Sequence, residues 1–275
     1  MADMNAQIIK EFRAAGGRVG GMFAGADLLL LTTVGARSGE LRTTPLGYGR
    51  DADRLVVHAS NAGGDRHPDW YRNLLATPRA EVELPDGDGG IRSLAARAQA
   101  LAEGPERDRL YARQAARVPA YGTYETMTRR IIPVVVLHPL DLTVPDAARN
   151  AAIARQLTDV HADLRARIAA LRTGGPTPAA ELALHCLSFC ESLGAHHATE
   201  EVVLPAFDSA FPHLAPVLAR LHREHREVAR GLEQLRAMIA AGDSGVAGRL
   251  EALSAEAERH FTYEEEHLLP ALRTP

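Results

Sequence analysis

The residues of this chain that could do chemistry are histidines and glutamates that recur at helical spacing in its C-terminal half. They fall in four separate amphipathic segments: His161, His196 with Glu200, His225, and His260 with Glu264. Residues four apart lie on one face of an α-helix, so each His-x-x-x-Glu pair would direct an imidazole and a carboxylate the same way. Four such helices packed together could surround one metal site.

These donor types point to a transition-metal centre. Imidazole and carboxylate donors without thiolate favour borderline-to-hard metals, and six of them exceed the four ligands of a closed tetrahedral zinc site. Carboxylates can bridge two cations and offset their charge, while imidazoles fill the remaining positions. A single helix histidine is more often a core or surface residue, so the prediction depends on the joint occurrence. We predict a non-haem di-iron centre.

The elements that must carry these donors follow from the hydrophobic periodicity. After Pro139 the apolar residues change from a period of two to a period of about 3.6, which is typical of amphipathic helices. The predicted helices cover residues 147–172, 178–205, 214–241 and 246–270. Short connections make consecutive helices antiparallel neighbours, which predicts an all-α, up-and-down four-helix bundle. We place the domain boundary after residue 145, between domains 1–145 and 146–275.

The pattern of these donors is similar to that of a known domain. The four histidines with Glu200 and Glu264, including the runs 196–201 and 260–265, resemble the haemerythrin-like, His-His-Glu cation-binding domain family. The resemblance covers residues 150–271. That family uses a four-helix bundle to hold two irons. The resemblance implies that the two glutamates bridge the irons and that the histidines are terminal ligands.

The second helix leaves the choice of ligands open. Pro205 follows Glu200 by five positions, whereas Pro270 of the fourth helix follows Glu264 by six. The pair His197 and Glu201 could therefore replace or supplement the pair His196 and Glu200. The family often has a fifth histidine ligand, and three residues compete for that role: His185, His197 and His222.

The N-terminal half has the pattern of short strands broken by turns. The predicted strands, rich in β-branched or apolar residues, are 28–33, 43–49, 54–60, 80–84, 91–100 and 132–137. Only two helices interrupt them, around residues 69–76 and 105–117. Six strands with so few helices predict a small, mainly antiparallel β-barrel, and the whole chain is α+β.

Two turns of this barrel carry groups that suit an anion. Arg37 and Ser38 lie in a turn between strands, with Arg42 just after it, so guanidinium, hydroxyl and backbone N–H groups come close together. A second glycine-rich turn, residues 60–64, precedes a predicted helix that begins near Trp70. Such turns can hold phosphate or carboxylate, although each alone is more often an ordinary hairpin. Three tyrosines could line a flat-ring pocket or pack in the core: Tyr111, Tyr121 and Tyr124.

Taken in order, four segments of this half resemble the deazaflavin-dependent nitroreductase family: residues 32–39, 42–46, 67–74 and 130–137. That family is a split β-barrel, related to flavin-nucleotide reductases, and it binds coenzyme F420, whose tail carries a phosphate and glutamate; FMN is the less favoured cofactor. The implied cofactor-binding residues are Arg37, Ser38, Arg42, Thr44, Pro45, Ser60, Asn61, Ala62 and Gly63. Trp70 would support this site, and Tyr121 and Tyr124 would border the substrate.

The composition of the chain limits the kinds of partner and the cellular compartment that fit it. A formal net charge of -4 argues against nucleic acid, which usually requires a basic face. Cys186 and Cys190 are the only cysteines, too few for a disulfide framework, which favours a reducing, cytoplasmic compartment.

Membrane contact and assembly are weaker expectations. Apolar runs such as residues 28–31 are far shorter than the roughly 18 residues of a membrane span. Ile8, Ile9 and Phe12 could form a short amphipathic helix, so peripheral contact with the inner membrane surface stays open. A homodimer is expected only by analogy with other split barrels.

Two functions fit these features. In the first, the protein is an enzyme. Its barrel passes a hydride from reduced deazaflavin to a quinone-like, nitro or other electrophilic acceptor, and its di-iron bundle reacts with dioxygen, peroxide or nitric oxide. Hydride transfer needs little from the protein beyond holding donor and acceptor in register. In the second, the protein is a sensor or store. The metal occupancy or oxidation state of the bundle is its output, and the barrel only binds a ligand or dimerises.

Overall fold

The computed structural model of the protein describes residues 2–173 and 179–273. The chain divides into two compact units, Met1–Asp141 and Leu142–Pro275. The division falls close to the boundary predicted after residue 145. Each unit has its own buried core.

The first unit is built on a closed antiparallel barrel. Its strands are β1 (Leu28–Val34), β2 (Leu41–Asp51), β3 (Arg54–His58), β4 (Arg79–Pro85), β5 (Ile91–Leu101) and β6 (Val134–Pro139). They close in the order β1-β2-β3-β6-β5-β4, and every neighbouring pair is antiparallel. Leu29, Val57 and Val135 are among the side chains that fill the interior. The predicted barrel is confirmed.

Helices cover the outside of this barrel. They are α1 (Ala2–Ala14), α2 (Asp69–Ala76), α3 (Pro105–Arg117) and α4 (Ala120–Met127). The bounds of α2 and α3 equal those predicted from the sequence. Helix α4 was not predicted, because none of its residues is fully buried and its apolar residues show no 3.6-residue period.

Helix α1 packs its apolar face on the barrel. Ile8 and Phe12 are buried with Leu28 and Leu30, the outward side chains of β1. Because both faces of β1 are therefore covered, its first four residues can all be leucine. The apolar face expected to meet a membrane surface thus has an intramolecular partner, and the structure adds no support for peripheral contact. Within residues 2–173 and 179–273, no helix is long and apolar enough to cross a membrane.

The second unit is a helical bundle. Its helices are α5 (Ala147–Thr173), α6 (Ala179–Glu201), α7 (Leu204–Ala210), α8 (Ala215–Ala241) and α9 (Val246–Arg273). Helix α5 contacts α6 and α9, and α8 also contacts α6 and α9, so the four long helices form the expected ring. The predicted second helix, 178–205, ends earlier: α6 stops at Glu201 and the short α7 begins beside Pro205, since proline lacks the N–H that a continuous helix requires. Residue 178 lies outside the described residues.

One end of the bundle interior is apolar. Leu164, Leu193, Leu232 and Leu253 belong to this core, together with both cysteines. Burial raises the pKa of Cys186, and it raises that of Cys190 to about 11. Thiols in this setting pack as small apolar groups.

Candidate metal centre and cofactor cavity

The four long helices bring their donors together in two adjoining groups. Site A consists of His161, His196, Glu200 and Glu264, and site B consists of His197, Glu200, His225 and His260. Within each site the candidate ligand atoms lie within 4.8 Å of one another. Glu200 belongs to both sites. This arrangement suits two neighbouring cations that share a carboxylate.

The imidazoles meet through their Nε2 atoms. His161 Nε2 lies 3.0 Å from His196 Nε2, and His225 Nε2 lies 3.1 Å from His260 Nε2. Glu264 Oε2 approaches site A to 3.4 Å from His161 Nε2. Two ring nitrogens at this separation need a proton or a metal ion near them, because two facing lone pairs repel.

Three further glutamates surround the sites, and we call them the outer carboxylates: Glu201, Glu224 and Glu265. Each lies within hydrogen-bond distance of the Nδ1 atom of one histidine of the two sites: Glu265 of His161 at 2.8 Å, Glu201 of His225 at 2.7 Å, and Glu224 of His260 at 2.8 Å. An ionised carboxylate only accepts hydrogen bonds, so each Nδ1–H donates. In the neutral ring this leaves the Nε2 lone pair directed inward, as a metal ligand requires.

The buried polar atoms of the described residues test whether a metal fits. Both oxygens of Glu200, Oε2 of Glu264 and Nε2 of His197 are buried without a hydrogen-bond partner. Buried polar groups without partners cost about 1–3 kcal/mol each. Cations placed among these atoms would satisfy all of them, so the residues present fit a pair of metal ions.

Burial dominates the electrostatics of these sites. It lowers the pKa of His196 to about 3 and the pKa of His197 well below its ordinary value, so both rings are neutral at neutral pH. Burial, and next the charge of Glu264, raises the pKa of Glu200 well above its ordinary value. Burial would also raise the pKa of Glu264, but the close approach of the His161 ring and the nearby His260 and His225 imidazoles lower it to about 2. An added cation would favour ionisation of both carboxyl groups.

The structure places all the predicted metal ligands in this cluster and separates the alternatives. His197 lies in site B beside His225, with ring centroids 4.5 Å apart, so it supplements His196 instead of replacing it. Glu201 is an outer carboxylate, not a member of either site. His222 lies outside the sites and donates to Glu201 at 2.7 Å. The side chain of His185 is outside the described residues.

In the first unit, the turn between β1 and β2 opens onto a cavity of about 690 Å³. Five of the predicted cofactor-binding residues line it: Arg37, Ser38, Arg42, Thr44 and Trp70. Arginines and hydroxyl groups occupy one part of the lining, and Ile9, Leu41 and Trp70 supply apolar surface. The cavity therefore suits a ligand with an anionic part and an apolar or flat part. Pro45 lies in β2 opposite Leu30 and is not part of the lining.

The second predicted turn has the backbone shape of an anion-binding nest. Ser60 is right-handed, whereas Asn61 and Ala62 have φ of 50° and 51°, in the left-handed region that residues with a Cβ rarely adopt. Successive right- and left-handed residues turn their N–H groups toward one point. Strain of this kind is typical of ligand-binding turns.

The two predicted substrate-bordering tyrosines lie on α4, next to this turn. Tyr121 and Tyr124 make an edge-to-face pair with ring centroids 5.5 Å apart, and both are partly buried. A Cβ placed at Gly63 would lie 2.9 Å from Met127 at the end of α4, so the turn and the helix are in direct contact. Apart from Pro45, the structure thus places the predicted barrel residues in two groups, one lining the cavity and one formed by the turn and α4.

Comparisons with known proteins agree with both halves of this description. Residues 6–139 match the family model for F420H(2)-dependent quinone reductases. An F420H(2)-dependent quinone reductase of Mycobacterium tuberculosis is 36% identical over 128 residues, which cover 46% of this chain and 83% of that protein. The chain belongs to this family. Residues 152–272 match the haemerythrin HHE cation-binding domain, so the predicted fusion of the two domains is confirmed.

We call the unit Met1–Asp141 the reductase domain. Two solved structures are also similar to part of this chain. One described as an F420-H2 dependent reductase is 34% identical, covers 41% of this chain and 94% of its own, and has a TM-score of 0.36. Another, described as a domain-swapped dimer, is 30% identical, covers 50% of this chain and 96% of its own, and has a TM-score of 0.38.

Sequence reasoning missed several residues that shape the reductase cavity. Asn5, Ala6 and Ile9 of α1 form part of its lining. The spacing of Asn5 and Ile9, one helical turn apart, could have indicated a second functional face on this helix.

Arg130 was also missed: its guanidinium donates to the carbonyls of Ala59, Ser60 and Gly64 at 3.0, 2.7 and 2.8 Å and so holds the nest together.

Asn73 is the buried residue that fixes the arginine-bearing turn. Its Oδ1 accepts from the N–H of Ala36 at 3.0 Å, and its Nδ2 donates to Thr33 Oγ1 at 3.0 Å. It joins α2 to the β1–β2 turn that carries Arg37 and Ser38. An asparagine on the buried face of a short helix is the sequence feature that could have drawn attention to it.

Replacing Asn73 by alanine should lower the free energy of unfolding of the reductase domain by about 1–3 kcal/mol, because it removes two hydrogen bonds, one of them to the buried Thr33 side chain. Asn73→Asp, which keeps the acceptor for Ala36, should lose less. Denaturant unfolding followed by the fluorescence of Trp70, the only tryptophan, measures both. Equal stability of Asn73→Ala and the wild type would contradict the anchoring role.

His58 makes the stability of the reductase domain sensitive to acid. Burial lowers its pKa to about 4, and its ring lies edge-on to those of Tyr111 and Tyr121. Because the unfolded chain takes up this proton near pH 6.5 and the folded chain does not, stability is complete above that pH and is lost as the pH falls toward 4.

The expected loss from this residue between pH 7 and pH 5 is about 2 kcal/mol. His58→Phe keeps an aromatic ring but cannot titrate, so its unfolding free energy should fall less over the same interval. Denaturant unfolding of both proteins at the two pH values measures the difference. Parallel pH profiles would contradict this account of His58.

Proposed function

We propose that the protein is an F420H2-dependent oxidoreductase that reduces quinone-like, nitro or other electrophilic acceptors, and that its HHE domain, the unit Leu142–Pro275, holds a pair of iron ions. The observation that supports the reductase function best is the convergence of Arg37, Arg42 and Trp70 on one cavity. Cationic and aromatic groups together match a coenzyme with an anionic tail and a flat ring.

The proposed roles divide between the two groups of barrel residues. Arg37, Ser38, Arg42 and Thr44 would bind the anionic tail from the cavity wall. The nest at 60–63 would bind a second anionic part through the N–H groups of Asn61 and Ala62, because those of Ser60 and Gly63 already donate to the carbonyls of His58 and Ser60. Tyr121 and Tyr124 would border the acceptor. The coenzyme supplies the hydride, so the protein contributes mainly binding and alignment of the two reactants.

The proposed role of the HHE domain follows from its donors. Five imidazoles and two carboxylates in sites A and B suit iron better than a closed zinc site, and the shared Glu200 suits a bridging position. Iron in such a site supplies redox chemistry with dioxygen, peroxide or nitric oxide. The protein's own part is to hold the imidazoles with their lone pairs inward and to surround them with apolar side chains such as Phe261, which stacks on His161 at 4.4 Å.

Two measurements on the purified full chain test these functions separately. The first incubates the protein with reduced F420 and a water-soluble quinone and follows oxidation of the deazaflavin by absorbance; catalysed oxidation that requires both partners is expected. Absence of both binding and turnover would contradict the reductase function and favour a sensor or store. The second measures iron per chain, for which about two ions are expected from the two sites.

Assembly is part of the proposal. A homodimer remains a prediction by analogy with other split barrels, and light scattering of the purified protein would test it. A monomer over the concentration range of the activity assay would contradict it.

A further inference from the structure

The outer carboxylates are themselves held in place from the bundle surface. Arg165 forms a two-pronged pair with Glu265, at 2.7 and 3.2 Å. Arg220 donates to Glu224 at 2.6 Å. Each carboxylate therefore lies between a surface cation and a buried imidazole, and charge-assisted hydrogen bonds of this kind restrict the orientation of both partners.

The third outer carboxylate has two imidazole partners. Glu201 accepts from His225 at 2.7 Å through Oε1 and from His222 at 2.7 Å through Oε2. It lies immediately after Glu200 in the sequence but turns away from the sites. Adjacent residues on a helix differ by about 100° in direction, so one glutamate can enter the cluster while the next supports it from outside.

The outer carboxylates are distributed unequally between the two sites. Glu265 holds His161, which belongs to site A. Glu201 and Glu224 hold His225 and His260, which both belong to site B. Each of these contacts therefore reaches the ligands of one site only.

We propose that the outer carboxylates are positioning residues that tune the metal affinity of the two sites separately. Glu265 acts on site A through His161, and Glu224 acts on site B through His260. This inference rests on the proposed metal-binding function and extends it to residues that touch no metal. The physical basis is that a carboxylate accepting from Nδ1 fixes the ring orientation and raises the basicity of Nε2; losing such a partner typically lowers metal affinity by about 10- to 100-fold.

The test is a stepwise titration of the metal-free full chain with cobalt(II), in competition with a chelator and followed by the visible absorption of the bound ion. The wild type should bind two ions in two resolvable steps. Glu265→Ala should weaken one step by about 10- to 100-fold, and Glu224→Ala should weaken the other by a similar factor. The cobalt spectrum should change for the affected step only.

Conservative variants and a matched control separate positioning from general structural damage. Glu224→Gln and Glu265→Gln keep an oxygen acceptor for Nδ1–H and should recover part of the affinity. Glu258→Ala removes a glutamate of α9, the helix of Glu265, that pairs with Arg172 at 2.7 Å instead of with a histidine, and it should titrate like the wild type. Unfolding midpoints of the metal-free variants, compared with this control, report their folding.

The outcomes distinguish this inference from the function on which it rests. If the wild type binds two ions and the alanine variants titrate like it, or if each variant weakens both steps equally, separate tuning is wrong and the metal sites stand. If a variant loses affinity and its glutamine form recovers none, positioning through a hydrogen bond is wrong. If the wild type binds no cobalt and no iron, the metal function fails, and this inference fails with it.

Discussion

Replacing Glu200 by alanine is expected to abolish binding at both metal sites together. Glu200 is the one residue common to sites A and B, and both of its oxygens are buried without a hydrogen-bond partner. Losing a single partner outside the ligand shell typically costs about 10- to 100-fold in metal affinity, so loss of a shared ligand should cost at least about 100-fold at each site. Iron content after purification and cobalt titration of the metal-free chain measure the loss.

The same substitution should leave the metal-free bundle as stable as the wild type, or make it more stable. Burial and the charge of Glu264 raise the pKa of Glu200, so the carboxyl group is unfavourable in its place without a cation. Glu191→Ala, an exposed position on the same helix, is the matched control and should change neither property. Retention of two tightly bound ions by Glu200→Ala would exclude it as a shared ligand.

Replacing Arg42 by alanine is expected to weaken binding of reduced F420 by about 10- to 100-fold, because a charged hydrogen bond contributes about 1.5–3 kcal/mol. Arg42 lies on β2 at the cavity and pairs with Glu40 at 2.5 Å in an exposed contact that a phosphate or carboxylate could displace. Arg37→Ala should have an effect of the same size. The rate at saturating cofactor should change little, since hydride transfer occurs at the ring and not at the tail.

Fluorescence or calorimetric titration with the cofactor measures this loss, and the affinity of the wild type should also fall as salt is added. Arg92→Ala, which removes an exposed arginine from β5 away from the lining of this cavity, is the control for net charge. Equal dissociation constants for Arg42→Ala, Arg92→Ala and the wild type would place the anionic tail elsewhere. The nest at 60–63 would then be the first alternative.

Much of the fold followed from local sequence patterns. The six strands were predictable because apolar residues repeat with a period of two or form a short run between turn residues. The starts of α5 and α9 and both ends of α2 and α3 were predictable from proline, glycine and the 3.6-residue period. Helix α4 was not, because a helix whose side chains are all at least partly exposed leaves no periodic apolar face.

The candidate metal centre shows where sequence reasoning stops. The i, i+4 pairs His196/Glu200 and His260/Glu264 indicated ligands without any structure, because that spacing puts both side chains on one helix face. The inward position of His197 did not follow, since His196 and His197 point in directions about 100° apart and either could have faced the interior. The rotation of α6 against its two neighbours places one ring in site A and the other in site B.

The roles of the residues that support the two sites could be predicted from the sequence even less than the choice of metal ligands. Asn73 contacts Ala36 and Thr33 across about 40 positions of sequence, and Glu265 meets His161 across a separation of 104. Such contacts arise from packing between elements, and no local period records them.

The sequence by itself determined the two domains, most of their secondary structure and the residue types of both sites, because local periodicity and helical spacing are properties of neighbouring residues. Only the tertiary structure decided which of two adjacent histidines lies in which candidate site, which glutamate is shared and which glutamates support from outside, and that α1 forms part of the lining of the reductase cavity. The physical reason is that those choices depend on how each helix is rotated and packed against the elements around it.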